Sequence, residues 1–236
     1  AAVKSEYELM KLPQGESVES AISKLAQRTE IEYVQPNFAY GDPSVSIKST
    51  VNKAAPSTND TYYALQKQYL DLMKVRDAWD ITTGDSSVVV ALVGSGIAHN
   101  HPDLGGGIGP GYRVIGGYDF INDNPLPEDV YGSGTVSASI IGAIANNSAG
   151  ALGVMWNVRF LDCKVFHNEQ RIANSFSVAS GILYAIKQSA NIIQLNTVQL
   201  QSETDNIVLD ALSQARAMGM PVITRAGHDS AETVNY

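Results

Sequence analysis

Few residues in this sequence have types and spacing that could carry chemistry. Ser133 stands between Gly132 and Gly134, as a nucleophilic serine on a sharp turn would. The nucleophile elbow G-x-S-x-G needs glycines two residues to either side, and those positions hold Tyr131 and Thr135, so that reading fails. Gly94-Ser95-Gly96 follows an apolar strand, as a dinucleotide-binding turn does. The third glycine of that fingerprint would fall at His99, and the HPDL that follows does not open a helix. His99 and His101 are spaced to share a metal, but no third ligand accompanies them. Cys163 and His167 would make a thiol–base pair only if the fold brought them together. The plainer expectation is a buried cysteine and structural or solvated histidines.

These residues hang on a well-marked framework. Val88 to Val93 is a continuous, mostly β-branched apolar run, which predicts a strand buried on both faces of a parallel sheet. Ligands and chemistry in such sheets sit just past the carboxyl ends of the strands, and the residue at that place is Gly94. Further strands are predicted at 114–120, 158–166, 191–195 and 221–224. Helices are predicted at 72–79, 134–145, 173–188 and 205–218, the last ended by Gly219. Strands alternating with helices give an α/β parallel sheet.

The first 40 residues stand apart, with short strands expected at 7–12 and 31–34. Between them Ser17 opens a helix carrying Val18, Ala21, Ile22 and Leu25. Forty residues hold too little core to stand alone. Residues 41–61, rich in Ser, Thr, Pro, Asn and Lys, read as a linker to a body at 62–236. A net charge of −8 disfavours nucleic acid and anionic membranes as partners. There is no apolar run of 18 residues. A single cysteine leaves no internal disulfide.

Several ordered segments resemble the subtilisin-like serine proteases, or subtilases. IEYVQPNFAY (31–40) is similar to the end of their propeptide, and WDITTGDSSVVVALVGSGIAHNHPDL (79–104) to the strand bearing their catalytic aspartate. GSGTVSASIIGA (132–143) is similar to the start of the helix bearing their histidine, and NNSAGALGV (146–154) to a calcium loop. NIIQLNTVQ (191–199) is similar to their substrate strand, and PVITRAGHD (221–229) to the segment bearing the oxyanion asparagine. The resemblance implies a three-layer parallel sheet of subtilisin type with a small α+β propeptide-like segment, expected to be incomplete at its C-terminus.

By that resemblance the aspartate position holds Gly94, the histidine position Ser133, and the oxyanion position His228. A histidine commonly found further along the helix is replaced by Val136. The segment bearing the serine is expected beyond Tyr236. Without a base a serine hydroxyl is a poor nucleophile, and without the carboxylate a base lacks its orienter. The substrate strand reads Asn196-Thr197-Val198-Gln199, and the side chains of Val198 and Gln199 are expected to obstruct peptide pairing. Asp103 and Asn147 match calcium positions, with Gln66 or Gln68 as a third ligand. The expectation is a pseudoprotease or fragment, secreted or at the cell surface, that binds a polypeptide or a missing C-terminal segment. The alternatives are an altered or shortened form of an active secreted endopeptidase and, further off, a nucleotide-binding α/β protein.

Overall fold

A strand that is apolar at every position needs cover on both faces, and the fold supplies it. The computed structural model describes residues 7–41, 58–199 and 204–225. The central strand β2 (Gly84–Gly94) runs parallel to β4 (Asn157–Lys164) on one side and β6 (Ile192–Leu195) on the other. With β3 (Val114–Asp119) and β8 (Val222–Thr224) the sheet has the order β3-β4-β2-β6-β8, all parallel. Successive side chains point to opposite faces. Val90 and Leu92 pack with Val114, Val158, Phe160 and Ala138, the last from α4 (Ser133–Gly142). Ala91 and Val93 pack with Cys163 and with Val178, Ile182 and Val208, from α5 (Ser175–Lys187) and α6 (Asn206–Ala217). Each fully buried aliphatic side chain of this kind contributes about 1.5–3 kcal/mol. The expected three-layer α/β architecture is therefore present.

Local signals set the helix starts. Asn174 and Ser177 form a reciprocal capping box on α5. Asp205 caps α6 by accepting from Val208 N at 3.2 Å, and Ser17 caps α1 (Val18–Leu25) by accepting from Ser20 N. Helix α4 instead starts against the turn after β2. A Cβ on Gly134 would lie 2.1 Å from the Gly96 carbonyl oxygen, so only glycine permits this approach.

Three expectations need correction. The strand expected at 7–12 is irregular chain. The one expected at 31–34 is also irregular, and the segment's strand lies further on, at β1 (Ala39–Gly41). The reason is pairing: β1 finds an edge on each side, β5 (Ile172–Asn174) and β7 (Val198–Gln199), both antiparallel to it, whereas an extended segment without an edge has no ladder to join. The helix expected at 72–79 is the shorter α3 (Val75–Trp79), preceded by an unanticipated helix α2 (Tyr63–Leu72), with Lys74 at φ +60° between them. Their inner faces form a small third core of Tyr63, Leu70, Val75 and Leu152. Most of the expected linker, 42–57, lies outside the described residues.

Candidate functional site

At the carboxyl end of β2, Gly94 lies beside Lys164 of β4. A Cβ built on Gly94 would stand 3.2 Å from Asn196 Cβ and 3.7 Å from Asn196 Nδ2. The space an aspartate side chain would use is thus bounded by Asn196, itself buried and held by its N–H to Val93 O at 2.9 Å.

Ser133 is the first residue of α4 and half-buried. Its hydroxyl lies 2.9 Å from Ser95 Oγ, and Ser95 Oγ donates to Asp129 Oδ1 at 2.9 Å and accepts from Gly134 N at 2.9 Å. Two hydroxyls and a carboxylate in line look like a relay. Asp129, however, also accepts from Tyr131 N, Gly132 N, Thr135 N and Thr135 Oγ1, so it serves chiefly to organise the turn and first turn of α4. Among the described residues no imidazole or amine is hydrogen-bonded to either serine, and the arrangement holds no base fit to activate them.

Beneath the site lies a buried polar row that sequence reasoning missed. Asp162 is fully buried, with Oδ2 accepting from Ile97 N at 2.8 Å and Oδ1 without a partner. Burial pushes its carboxyl well above the ordinary value, with the nearby Asp129 and Asp119 adding and Lys164 and the Ile97 N–H opposing. Lys164, also buried, lies 3.4 Å from Asp119 and donates to Glu128 O at 2.6 Å. The only sequence signal was two charges inside an apolar strand pattern.

The groove between β5 and β7 is filled by the chain's own β1. Tyr40 is opposite Ala173 on one side and Gln199 on the other, and Gly41 is opposite Ile172 and Val198. Val198 and Gln199, the strand positions expected to bear on peptide pairing, are in register with Gly41 and Tyr40 through the backbone. A ladder forms through N–H and C=O groups along the strand edge, while side chains leave across it. Thr197 is buried just before this edge. The approach to the groove is fastened by Asn37 Oδ1, which accepts from Phe176 N at 3.0 Å, and by Gln35 Oε1, which accepts from Asn206 N at 2.8 Å. Those N–H groups open α5 and α6, where backbone donors have no partner within the helix.

The 146–151 loop folds around Asp103. Asp103 Oδ1 accepts from Asn147 Nδ2 at 2.8 Å and Oδ2 from Ala151 N at 2.7 Å. A Cβ on Gly150 would fall 1.8 Å from Oδ2, so the backbone cradles the carboxylate closely. Asp60, not anticipated as part of this cluster, accepts from Asn146 N and Asn147 N. In this cluster all four carboxylate oxygens of Asp60 and Asp103 accept from N–H groups, and Asn147 Oδ1 accepts from Ala149 N at 3.0 Å. Carboxylate and amide oxygens are the ligand types calcium prefers. Gln66 does not join the cluster, because its amide is bonded at both ends to the Leu152 backbone. Gln68 is exposed. Among the described residues no three His, Cys, Asp or Glu side chains converge on one point.

The remaining candidates stay apart. His101 Nδ1 accepts from Asp103 N, and His99 Nδ1 is buried without a partner. Burial pushes the Cys163 thiol well up, and its sulfur lies against Leu161 O, with no bond to His167. His228 lies outside the described residues.

A five-stranded parallel sheet flanked by helices on both faces is the architecture of subtilisin-type proteins. The model described as "Subtilase family" matches residues 85–234, and the chain belongs to that family. A second model, "Fervidolysin N-terminal prodomain", matches residues 1–37. The chain is 30% identical over 237 residues to the thermophilic serine proteinase of Bacillus sp. (strain AK1), covering 98% of this chain and 52% of that protein. It is 33% identical over 179 residues to thermitase of Thermoactinomyces vulgaris, covering 75% of this chain and 60% of thermitase. It thus spans between half and two thirds of these relatives' lengths. The solved structure of the prenylagaramide maturation protease PagA superposes with a TM-score of 0.54 at 22% identity, over 68% of this chain and 53% of that one, a likeness of fold. No helix among the described residues is long and apolar enough to cross a membrane.

Proposed function

We propose that this subtilase chain binds extended polypeptide in its cleft and does not hydrolyse it. The observation that carries the reading is the pairing of β1 with both β5 and β7, beside a site whose family positions hold Gly94 and Ser133. Ser133 cannot take up a proton near neutral pH and so cannot act as the base, and Gly94 has no side chain with which to orient one. The cleft keeps the strand edges that recognise a peptide backbone, a recognition that needs no particular side chains on the edge. Asn196 beside Gly94 supports the same reading, since it occupies the space an orienting carboxylate would need.

The residues that would hold a calcium ion are Asp60, Asp103 and Asn147, and the ion's contribution would be to fasten the 58–62 segment to the 146–151 loop. By family the protein is secreted or displayed at the cell surface. Strand β1 acts as a resident occupant of the groove, and residues 1–40 stay covalently attached to the body. Intact mass of the purified full chain, incubated for days, tests this. A stable mass and no turnover of a chromogenic peptide are expected. Homogeneous self-cleavage between β1 and the body, blocked by a serine-directed covalent inhibitor, would refute it.

A further inference from the structure

Tyr40 enters the groove with its ring buried and its hydroxyl on a carboxylate: Oη donates to Asp205 Oδ2 at 2.6 Å. Asp205 is itself buried, and its other oxygen accepts from Gln35 Nε2 at 2.9 Å and from Val208 N at 3.2 Å. Tyr40, Ala173 and Val208 belong to one core cluster. Phe38, two residues earlier, is packed into the same cluster and makes only backbone bonds, to Ser175. In an extended segment residues i and i+2 share a face. One position of the peptide therefore requires bulk alone, and the next on that face meets an acceptor that a hydrocarbon ring leaves unpaired.

We propose that Asp205 is the specificity determinant of this groove, selecting tyrosine over phenylalanine at the position of residue 40 in any extended peptide that enters. This rests on reading the groove as a peptide-binding cleft. A buried acceptor without its donor is costly, so a site built around a hydroxyl rejects the analogue lacking it far more strongly than an apolar pocket rejects a small change of size. Burial and the neighbouring Asp205 hold the Tyr40 phenol above its ordinary value, which keeps it a neutral donor across the physiological range. The groove thus takes Phe-x-Tyr with two different demands.

The test uses the full chain carrying Tyr40→Ala, which weakens its own strand, and two fluorescent peptides, Gln-Pro-Asn-Phe-Ala-Tyr-Gly and the same peptide with phenylalanine for tyrosine. Fluorescence anisotropy is expected to give roughly 10- to 100-fold tighter binding of the tyrosine peptide. Adding Asp205→Ser, which keeps a capping oxygen for α6 but withdraws the carboxylate, should bring the ratio close to one. Equal affinities on Tyr40→Ala, or a preference that survives Asp205→Ser, would overturn the assignment to Asp205 and leave the cleft reading standing. Binding of neither peptide, with circular dichroism matching the parent, would overturn both.

Discussion

Asn196 and Gly94 occupy one space: a Cβ on Gly94 would meet the Asn196 Cβ at 3.2 Å, tighter than packed side chains normally tolerate. Gly94 ends β2 and Asn196 follows the last residue of the neighbouring β6, at the carboxyl end of the sheet, where the fold would present a functional group. The glycine and the asparagine are therefore a matched pair, and changing one alone creates a conflict.

Gly94→Asp should destabilise the chain by about 2 kcal/mol, through overpacking and the burial of a carboxylate. Combining it with Asn196→Ser should recover at least about half of that loss, because residues in contact are not additive. Urea unfolding of the two single variants and the double one measures the coupling. Simple additivity would contradict the shared space.

Gly134→Ala would drive a methyl group to 2.1 Å from the Gly96 carbonyl oxygen, a rigid backbone atom. The start of α4 must then move away from the turn after β2 and lose the Gly134 N to Ser95 Oγ bond. A cost of about 3 kcal/mol is expected, at the upper end for overpacking, read from the denaturation midpoint at constant m-value.

Asp162 gives a pH-dependent prediction. Its folded-state pKa is raised above the ordinary 3.8, so the folded state holds the proton more tightly than the unfolded one. Stability from this group is fully present below the unfolded value and is lost as pH rises from there towards the raised folded value. Asp162→Asn keeps an acceptor for the Ile97 N–H and cannot ionise. The stability of the parent relative to Asp162→Asn should therefore fall steadily from about pH 4 upward. Parallel pH profiles of the two proteins would count against this account.

Calcium should raise the melting temperature, by the equivalent of about 2.7 kcal/mol at a hundredfold excess over its dissociation constant. Asp103→Ala should abolish the increment, and it should also lower stability without calcium, since it leaves Asn147 Nδ2 and Ala151 N without their acceptor. Differential scanning calorimetry with calcium and with a chelator decides it. An unchanged transition would remove calcium from the proposal.

The layered sheet was legible in the sequence because its signals are local. Val88–Val93 is apolar at every position, so it had to be buried on both faces. Ser17 and Gly219 mark helix ends through bonds and dihedrals that span only a few residues. The ordered segments from 31 to 229 pointed to the family, and Asp103 with Asn147 did meet. Tertiary structure alone decided the rest, because each remaining relation joins residues far apart in sequence. Strand β1 formed at 39–41, and not at 31–34, because β5 and β7 offered edges only there. Asp60 reached the Asp103 loop, and Asn196 reached Gly94, through packing that no local pattern encodes. Whether Asp205 is a plain helix cap or also the acceptor for Tyr40 was set by a contact across 165 residues: a capping signal is local, but a hydroxyl's partner is whatever the fold brings within bonding distance.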